Sequence, residues 1–390
     1  MSKKLIIFCD GTWSEPTKHN TNVLRMLQAT TSKDVANNPQ LVHYIAGVGT
    51  RKGERFKGGI FGRGISDNII DAYSFIVSNY ENGDEIFLFG FSRGAFTARS
   101  IAGLIHNLGV LKRHKLPLVA EAYKHYKNKT LDWKPKGKEA DGWRHENCHP
   151  WPTKIKFLGV WDTVGALGAP YGEILGYVVD KIFKIGFHNV ELSESVESAY
   201  QALAADERRW VFRPTHVELT DYHNKRNRAN KVDYDFPLYA QKWFPGVHTN
   251  VGGGNDRHGL SDCALEWIAG CAAKNGLNVK ALDQIEFATG REFKRDLAQP
   301  IEKNPQFFYQ VLTTLMIKLP GLIGLVPVYP RLDHPLAKYI TWGGNYNRPI
   351  GQGDDVSVLE EKKEVDPDYH HQTSPDARRK KANQSTQKTV

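Results

Sequence analysis

The residues best suited to chemistry are those of Gly90-Phe91-Ser92-Arg93-Gly94, which fit the pattern G-x-S-x-G. In this pattern a sharp strand-to-helix turn lifts the serine hydroxyl clear of a sheet, and the small neighbours let the helix pass close to the strand. The amide of the next residue, Arg93, then donates to an oxyanion hole. The pattern predicts that Ser92 is a nucleophile. A structural turn with an incidental serine is the alternative, and it explains the glycines but not the hydroxyl.

A serine nucleophile needs a base, and the base needs a carboxylate that orients it. In α/β-hydrolases the order along the chain is serine, acid, histidine. Among fifteen histidines, His248 is the best-placed base, because it follows the last predicted strand and precedes Gly252-Gly253-Gly254. His216 and His223 follow only a strand-like stretch and are weaker candidates. A loop histidine with a local hydrogen bond is the alternative for His248.

The acid has two candidates. Asp162 directly follows a buried apolar run, where a triad acid is expected. Asp206 also lies between serine and histidine, but the surrounding stretch 193–209 has a helical pattern. That pattern favours a surface salt bridge of Asp206 with Arg208 or Arg209. Position therefore favours Asp162 and leaves Asp206 open.

A further candidate group is Asp10-Gly11-Thr12, which follows the first predicted strand. The amide of Gly11 or the hydroxyl of Thr12 could supply the second oxyanion donor, and Asp10 is a candidate site residue itself. The alternative is a strand-end turn in which Asp10 bonds its own backbone.

The elements that must position these residues read as alternating strands and helices. Strands are predicted within Leu5–Cys9, Leu41–Ile45, Ile86–Phe89, Ile155–Trp161 and Pro237–Phe244, with helical patterns between most of them. This alternation predicts an α/β class, with an α/β-hydrolase-like, mostly parallel sheet, helices on both faces and helical insertions. In such sheets chemistry gathers at the carboxyl ends of the strands, where all the candidates fall.

The predicted domain organisation is one catalytic domain over residues 1–350. A polar stretch at 112–151 is interpreted as an insertion over the sheet. The apolar stretch 307–328 is interpreted as a buried helical hairpin or a lipid-facing cap at about 305–330. From Asp354 the chain is charged and poor in apolar residues, which predicts disorder for 354–390.

Composition limits the partners and cofactors. Lys and Arg number 52 against 43 Asp and Glu, a net charge of +9, which favours an anionic partner such as a phospholipid surface. His145, Cys148 and His149 lack a second ligand pair, so no metal is predicted. The glycine-rich stretches match no nucleotide-binding motif, so no cofactor and no nucleic acid are expected.

Localisation is predicted from the cysteines and the N-terminus. The four cysteines are scattered, as in a protein that folds reduced. The first apolar run is too short for a signal peptide, and no stretch has the length of a transmembrane helix. We therefore expect a cytoplasmic protein in the producing cell, with any export occurring without a cleaved signal.

Several motif blocks occur together in the order of one family. They resemble the catalytic domain of type VI secretion lipase effectors of the first class, and the resemblance covers roughly residues 3–345. The blocks are Phe8-Cys9-Asp10-Gly11-Thr12-Trp13, Gly47-Val48-Gly49-Thr50, Gly90-Phe91-Ser92-Arg93-Gly94-Ala95, Gly159-Val160-Trp161-Asp162-Thr163-Val164-Gly165, Ala202–Arg208, and Phe244-Pro245-Gly246-Val247-His248 with Val251-Gly252-Gly253-Gly254.

The resemblance implies phospholipase or carboxylic-ester hydrolase activity through a Ser-Asp-His triad, with Ser92 as nucleophile and His248 as base. Asp162 and Asp206 both lie in family blocks. The chain departs from the family in having Asn250, where an aspartate often stands. It also has little room for the membrane-anchoring module that commonly follows the hydrolase domain.

The function predicted from the sequence is a lipase or phospholipase that acts on membrane lipids, with an immunity or secretion partner as a further implication of the family. Two alternatives stay open. One is a non-catalytic binding protein of the same fold, and the other is a thioesterase or peptidase that uses the same site.

Overall fold

The computed structural model describes residues 2–11, 20–47, 60–128, 130–164, 191–209, 212–233, 236–285, 287, 292–302, 350, 355–367 and 369. Thr12, the predicted cap at about 305–330 and the residues from 370 onward lie outside these ranges.

Six parallel strands form one sheet in the order β2-β1-β3-β4-β5-β6. This confirms the predicted α/β class. Four of the strands are buried almost throughout, as expected for apolar strands with helices on both faces. The strands are β1 (Lys4–Cys9), β2 (Gln40–Ile45), β3 (Glu85–Phe91), β4 (Phe157–Trp161), β5 (Ala199–Ala204) and β6 (Tyr239–Phe244).

Helices cover both faces of the sheet. The first face carries α2 (Ile60–Asn79) and α3 (Arg93–Leu108), and the second carries α1 (Asn22–Ala29) and α8 (Gly259–Lys274). The other helices among the described residues are α4 (Val119–Tyr126), α5 (Lys138–Asn147), α6 (Asp221–Asp233), α7 (His248–Gly252) and α9 (Ser357–Val365), with 3₁₀ turns at Arg113–Leu118, Leu131–Trp133 and Leu282–Gln284.

The order of the strands places a switch point between β1 and β3. The chain runs from β1 outward to β2, then returns past β1 to β3 and continues in the other direction. At such a point the loops after the two central strands diverge and leave a crevice at their carboxyl ends. Asp10 follows β1 and Ser92 follows β3, so both lie at this crevice.

The stretch at 112–151 is more than a cover over the sheet. Its side chains Val119, Ala122, Tyr126 and Ala140 are buried in the same core cluster as α2 and α3. The polar composition of the stretch conceals this apolar face.

Two predictions about local structure are wrong. The stretch 193–209 contains β5 rather than a helix. Its alanines favour helices, but small side chains also suit a strand packed between two helical layers, and tertiary packing overrides propensity. In the tail, α9 is ordered against β6 with Val358 and Leu359 buried, so disorder is wrong for 355–367. The buried apolar residues of α9 are only Val358 and Leu359. The charged residues around them hide this short apolar pattern in the sequence.

Candidate active site

Ser92 lies in a strained turn between β3 and α3. Its φ and ψ are 58° and −121°, a conformation that costs energy for any residue other than glycine. Its N–H donates to the carbonyl oxygen of Trp161 at 3.0 Å. A Cβ on Gly94 would overlap the carbonyl oxygen of Cys9 and lie 2.5 Å from that of Asp10. Glycine at 94 is therefore required for α3 to pass close to the end of β1.

Arg93 is the first residue of α3. The N–H groups of a first helical turn point out of the helix, and the helix dipole makes that end favourable for negative charge. The backbone of Arg93 thus has the position that an oxyanion donor needs. Burial lowers the pKa of its guanidinium to about 9.

His248 and Asp162 form a buried pair. The Nδ1 of His248 lies 2.5 Å from Oδ2 of Asp162, whose side chain has no exposed surface. The other oxygen, Oδ1, accepts the N–H of Ala204 at 3.0 Å, and Asp162 donates its own N–H to Ala202 at 2.7 Å. Because an ionised carboxylate only accepts, the proton of the imidazole lies on Nδ1 and Nε2 is left as the basic atom.

Two opposing effects act on His248. Burial lowers the pKa of its imidazole, and the hydrogen bond and charge of Asp162 raise it. The net pKa is below the ordinary 6.5, so His248 is neutral at pH 7 and able to take a proton.

A second layer of side chains holds His248 in place. Its ring packs against those of Phe91 and Phe212, with centroids 4.6 and 4.8 Å away. Its backbone N–H donates to Glu207 at 3.2 Å. Glu207 in turn binds Arg209 through two hydrogen bonds of 2.9 and 2.7 Å, and Arg209 covers the ring of Phe212 at 3.9 Å.

Sequence reasoning missed Glu207 and Phe212. Glu207 lies beside Asp206 in a block singled out for its aspartate, and nothing in the spacing indicates a contact with the backbone of residue 248. Arg209, one of the two arginines proposed as a partner of Asp206, pairs with Glu207 instead.

Asp206 is buried, not on the surface as its predicted salt bridge required. Its Oδ2 accepts the N–H of Gly246 at 2.6 Å and the hydroxyl of Tyr369 at 3.0 Å. Burial raises the pKa of this carboxyl to about 6. Asp162, not Asp206, is the carboxylate that bonds the ring of His248.

Asp10 is a centre of hydrogen bonds at the end of β1. Its Oδ1 accepts the N–H of Gly11 at 2.6 Å, and its Oδ2 accepts the hydroxyls of Thr21 and Tyr44, both at 2.7 Å. The N–H of Gly11 therefore makes the local hydrogen bond that is the alternative interpretation of this group. Thr12 lies outside the described residues.

The weaker histidine candidates, His216 and His223, pack against other aromatic rings. His223 is in α6, where its Nδ1 is 2.8 Å from the hydroxyl of Thr220 and its ring packs on Tyr239. The ring of His216 packs on Trp243.

Among the residues in the ranges given above, no group of three His, Cys, Asp or Glu side chains is arranged to hold a metal ion. Within the same ranges no helix combines the length and apolarity needed to cross a membrane.

A family model for the catalytic domain of Tle1-like phospholipase effectors of the type VI secretion system matches residues 3–270. This chain belongs to that family. The match spans more than half of the chain and includes Ser92, Asp162, Asp206 and His248, and it confirms the resemblance predicted from the motif blocks.

The similar proteins are distant. An uncharacterised protein of Saccharomyces cerevisiae, YEL023C, is 27% identical over 234 residues, which are 54% of this chain and 32% of the yeast protein. This chain thus spans about a third of that relative's length.

Two solved structures show a weak likeness. An uncharacterised protein from Pseudomonas aeruginosa has 17% identity and a TM-score of 0.46, over 86% of this chain and 57% of that one. A Tle1 effector bound to the VgrG spike of a type VI secretion system has 19% identity and a TM-score of 0.37, over 66% and 52%. Since neither score reaches 0.5, the family assignment depends on the sequence match.

Proposed function

We propose that this chain is a serine hydrolase of carboxylic esters and that its substrate is a membrane phospholipid. The family consists of phospholipase catalytic domains, which supports the reaction class. The observation that carries the proposal is the 2.5 Å hydrogen bond between Asp162 and His248 at the strand ends where Ser92 occupies its strained turn.

In the proposed reaction the Oγ of Ser92 attacks the ester carbonyl carbon, and Nε2 of His248 takes the hydroxyl proton. The electron pair of the carbonyl bond moves onto oxygen. When this intermediate collapses, the carbonyl re-forms and the ester C–O bond breaks, and His248 returns the proton to the leaving alcohol. Water then attacks the acyl-enzyme by the same route and releases the carboxylic acid. Asp162 remains ionised and holds the imidazole in orientation.

The oxyanion that forms on the carbonyl needs donors. The N–H of Arg93 at the start of α3 is the proposed first donor, because it is the amide directly after the nucleophile. The amide of Gly11 or the hydroxyl of Thr12 is the proposed second donor. A contribution from the Gly11 amide requires that it leave the Asp10 carboxylate, to which it donates at 2.6 Å.

The excess of basic residues supports a substrate presented at an anionic membrane. Flotation with liposomes of neutral lipid and of neutral lipid plus phosphatidylglycerol tests this. Greater recovery with the acidic lipid, reduced by salt, is expected. Equal recovery on both would refute an electrostatic preference.

The reaction itself is tested by fluorophosphonate labelling and by a panel of acyl esters, phospholipids, thioesters and peptides. We expect wild-type protein to label and to cleave phospholipid, and Ser92→Ala to do neither. Ser100→Ala, a change of the same type further along α3, is the matched control and should label normally. An unlabelled wild type indicates a binding protein. A labelled protein that cleaves only thioesters or peptides indicates the other alternative.

Membership of an effector family also supports export from the producing cell. Detection of the protein in the medium of a culture with an active secretion system, and its loss from the medium when that system is disabled, tests this. A protein found only in the cells would contradict it.

A further inference from the structure

Residues 355–367 and Tyr369, here termed the C-terminal segment, cover the outer edge of β6. The N–H of Trp243 donates to the carbonyl oxygen of Asp355 at 2.9 Å, and Lys242 pairs with Asp355 in a parallel bridge. An ion pair of 3.3 Å also joins Nζ of Lys242 to Oδ2 of Asp355. The segment thus occupies backbone positions that an edge strand would otherwise expose.

The segment is held by specific contacts beyond this bridge. Leu359 is fully buried in a cluster with Leu203 of β5 and Trp243 of β6. Lys362 is also fully buried, and its ammonium donates to the carbonyl oxygens of Leu297 at 2.8 Å and Gln299 at 3.2 Å. A buried ammonium is costly unless its donors are satisfied, so these contacts favour a single docked position.

At its end the segment reaches the loop that carries the proposed base. The hydroxyl of Tyr369 donates to Oδ2 of Asp206 at 3.0 Å, and the same oxygen accepts the N–H of Gly246 at 2.6 Å. The N–H of Asp206 donates back to the carbonyl oxygen of Gly246 at 3.0 Å. Gly246 is two residues before His248, so a short chain of bonds connects Tyr369 to the backbone from which the imidazole projects.

We propose that the C-terminal segment positions the catalytic base, with Tyr369 acting through Asp206 to fix the turn at Gly246. This role rests on the proposed function of His248. The C-terminal segment lies outside residues 3–270, the part of the chain that the family model matches.

The role of Asp206 requires hydrogen-bond acceptance more than charge. Burial raises the pKa of its carboxyl to about 6, against the opposing effects of Gly246, Tyr369, Arg208 and Lys362. The neutral form of this carboxyl therefore predominates below about pH 6. An asparagine offers an acceptor oxygen of similar shape, whereas an alanine offers none.

The test compares Tyr369→Phe, Asp206→Ala and Asp206→Asn by ester hydrolysis, with rates expressed per site titrated by a fluorophosphonate. Tyr369→Phe should lower kcat by about tenfold, equivalent to about 1.4 kcal/mol, with KM unchanged. Asp206→Ala should lower kcat at least as much, and Asp206→Asn should restore most of the loss. Tyr200→Phe is the matched control, because its hydroxyl donates to Pro237 at 2.8 Å at the opposite end of β5 and β6.

Hydrogen–deuterium exchange of the 246–252 peptide gives a readout independent of activity. Exchange should quicken in Tyr369→Phe and Asp206→Ala, but not in Asp206→Asn or Tyr200→Phe. Unchanged exchange and kcat in Tyr369→Phe would overturn the inference, as would equal effects of Tyr200→Phe, which would indicate general loosening. Ser92→Ala is assayed in parallel to separate the two proposals. Ester hydrolysis that is lost in Ser92→Ala supports the proposed function, whatever the effect of Tyr369→Phe.

Discussion

Replacing Asp162 with asparagine removes one charge while keeping the shape of the side chain. One oxygen of Asp162 accepts the N–H of Ala204 at 3.0 Å, and the other lies 2.5 Å from Nδ1 of His248. An asparagine keeps its backbone bond only if its oxygen faces Ala204, which turns its NH₂ group toward the imidazole. Nδ1 must then accept, the ring proton moves to Nε2, and the base no longer offers a lone pair to Ser92.

The size of the effect follows from the same geometry. Charges 2.5 Å apart interact by roughly 6–7 kcal/mol at an effective dielectric constant near 20. The amide dipole that replaces the carboxylate keeps part of this, so we expect the transition state to lose about 4–5 kcal/mol. That loss corresponds to a fall in kcat of about 10³–10⁴-fold, which is the range known for wrong-tautomer variants of serine hydrolases. If the amide were turned over, its NH₂ group would face the N–H of Ala204. Two buried donors would then lack an acceptor, at a cost of about 1–3 kcal/mol.

The assay is hydrolysis of a short-chain p-nitrophenyl ester at pH 8, with circular dichroism to check folding. Asp162→Asn should lose kcat by the amount given above while its unfolding midpoint stays within a few degrees of wild type. Asp206→Asn, which removes the charge of the competing aspartate, should lose much less. A folded Asp162→Asn within tenfold of wild type would refute Asp162 as the acid, and the reverse ranking would identify Asp206.

Three further predictions concern the turn, the base and the buried carboxyl. Gly94→Ala should lower the free energy of unfolding in urea by more than about 3 kcal/mol because its Cβ overlaps the carbonyl oxygen of Cys9. Gly142→Ala, in open space on a helix, should be neutral or slightly stabilising. The acid limb of kcat/KM should fall below pH 6.5, since burial lowers the pKa of His248, and a limb above pH 7 would contradict this. Folding raises the pKa of Asp206 from 3.8 to about 6, so its ionised form costs stability as pH rises through that window. Asp206→Asn should therefore be more stable than wild type by about 2–3 kcal/mol at pH 8 and equal to it near pH 4 in urea titrations.

The features best predicted from the sequence are those with a local cause. Apolar runs ended by polar residues predict five of the six strands. For β1, β3 and β4 the reason is burial on both faces, which leaves a near-continuous apolar signal. The turn at Ser92 was predicted because the close approach of two backbones demands glycine at position 94. Both signals lie within a few residues of the feature that they predict.

The features that were missed depend on distant packing. Half of β5 is alanine, which favours helices, and the packing of helices on both faces of the sheet makes this stretch a strand. Likewise α9 has too little apolar surface to predict a helix alone, and its docking requires Trp243 and Leu203, more than a hundred residues earlier. The contact of Glu207 with the amide of His248 depends in the same way on the alignment of β5 with β6.

The two aspartates illustrate why chain order could not decide the acid. Strands β4, β5 and β6 are parallel neighbours, so the residues after β4 and β5 both arrive at the sheet edge from which His248 projects. Asp162 directly follows β4, and its φ of 40° turns the backbone sharply at this point. Its carboxylate reaches the imidazole of His248. Asp206 lies one residue further beyond its strand and meets the backbone at Gly246 instead. The proposed roles of the two carboxylates therefore differ. Asp162 orients the ring of the proposed base, and Asp206 anchors the turn that carries it. The proposed roles predict opposite demands, since the first requires its charge and the second, whose pKa burial raises to about 6, requires chiefly its acceptor oxygen.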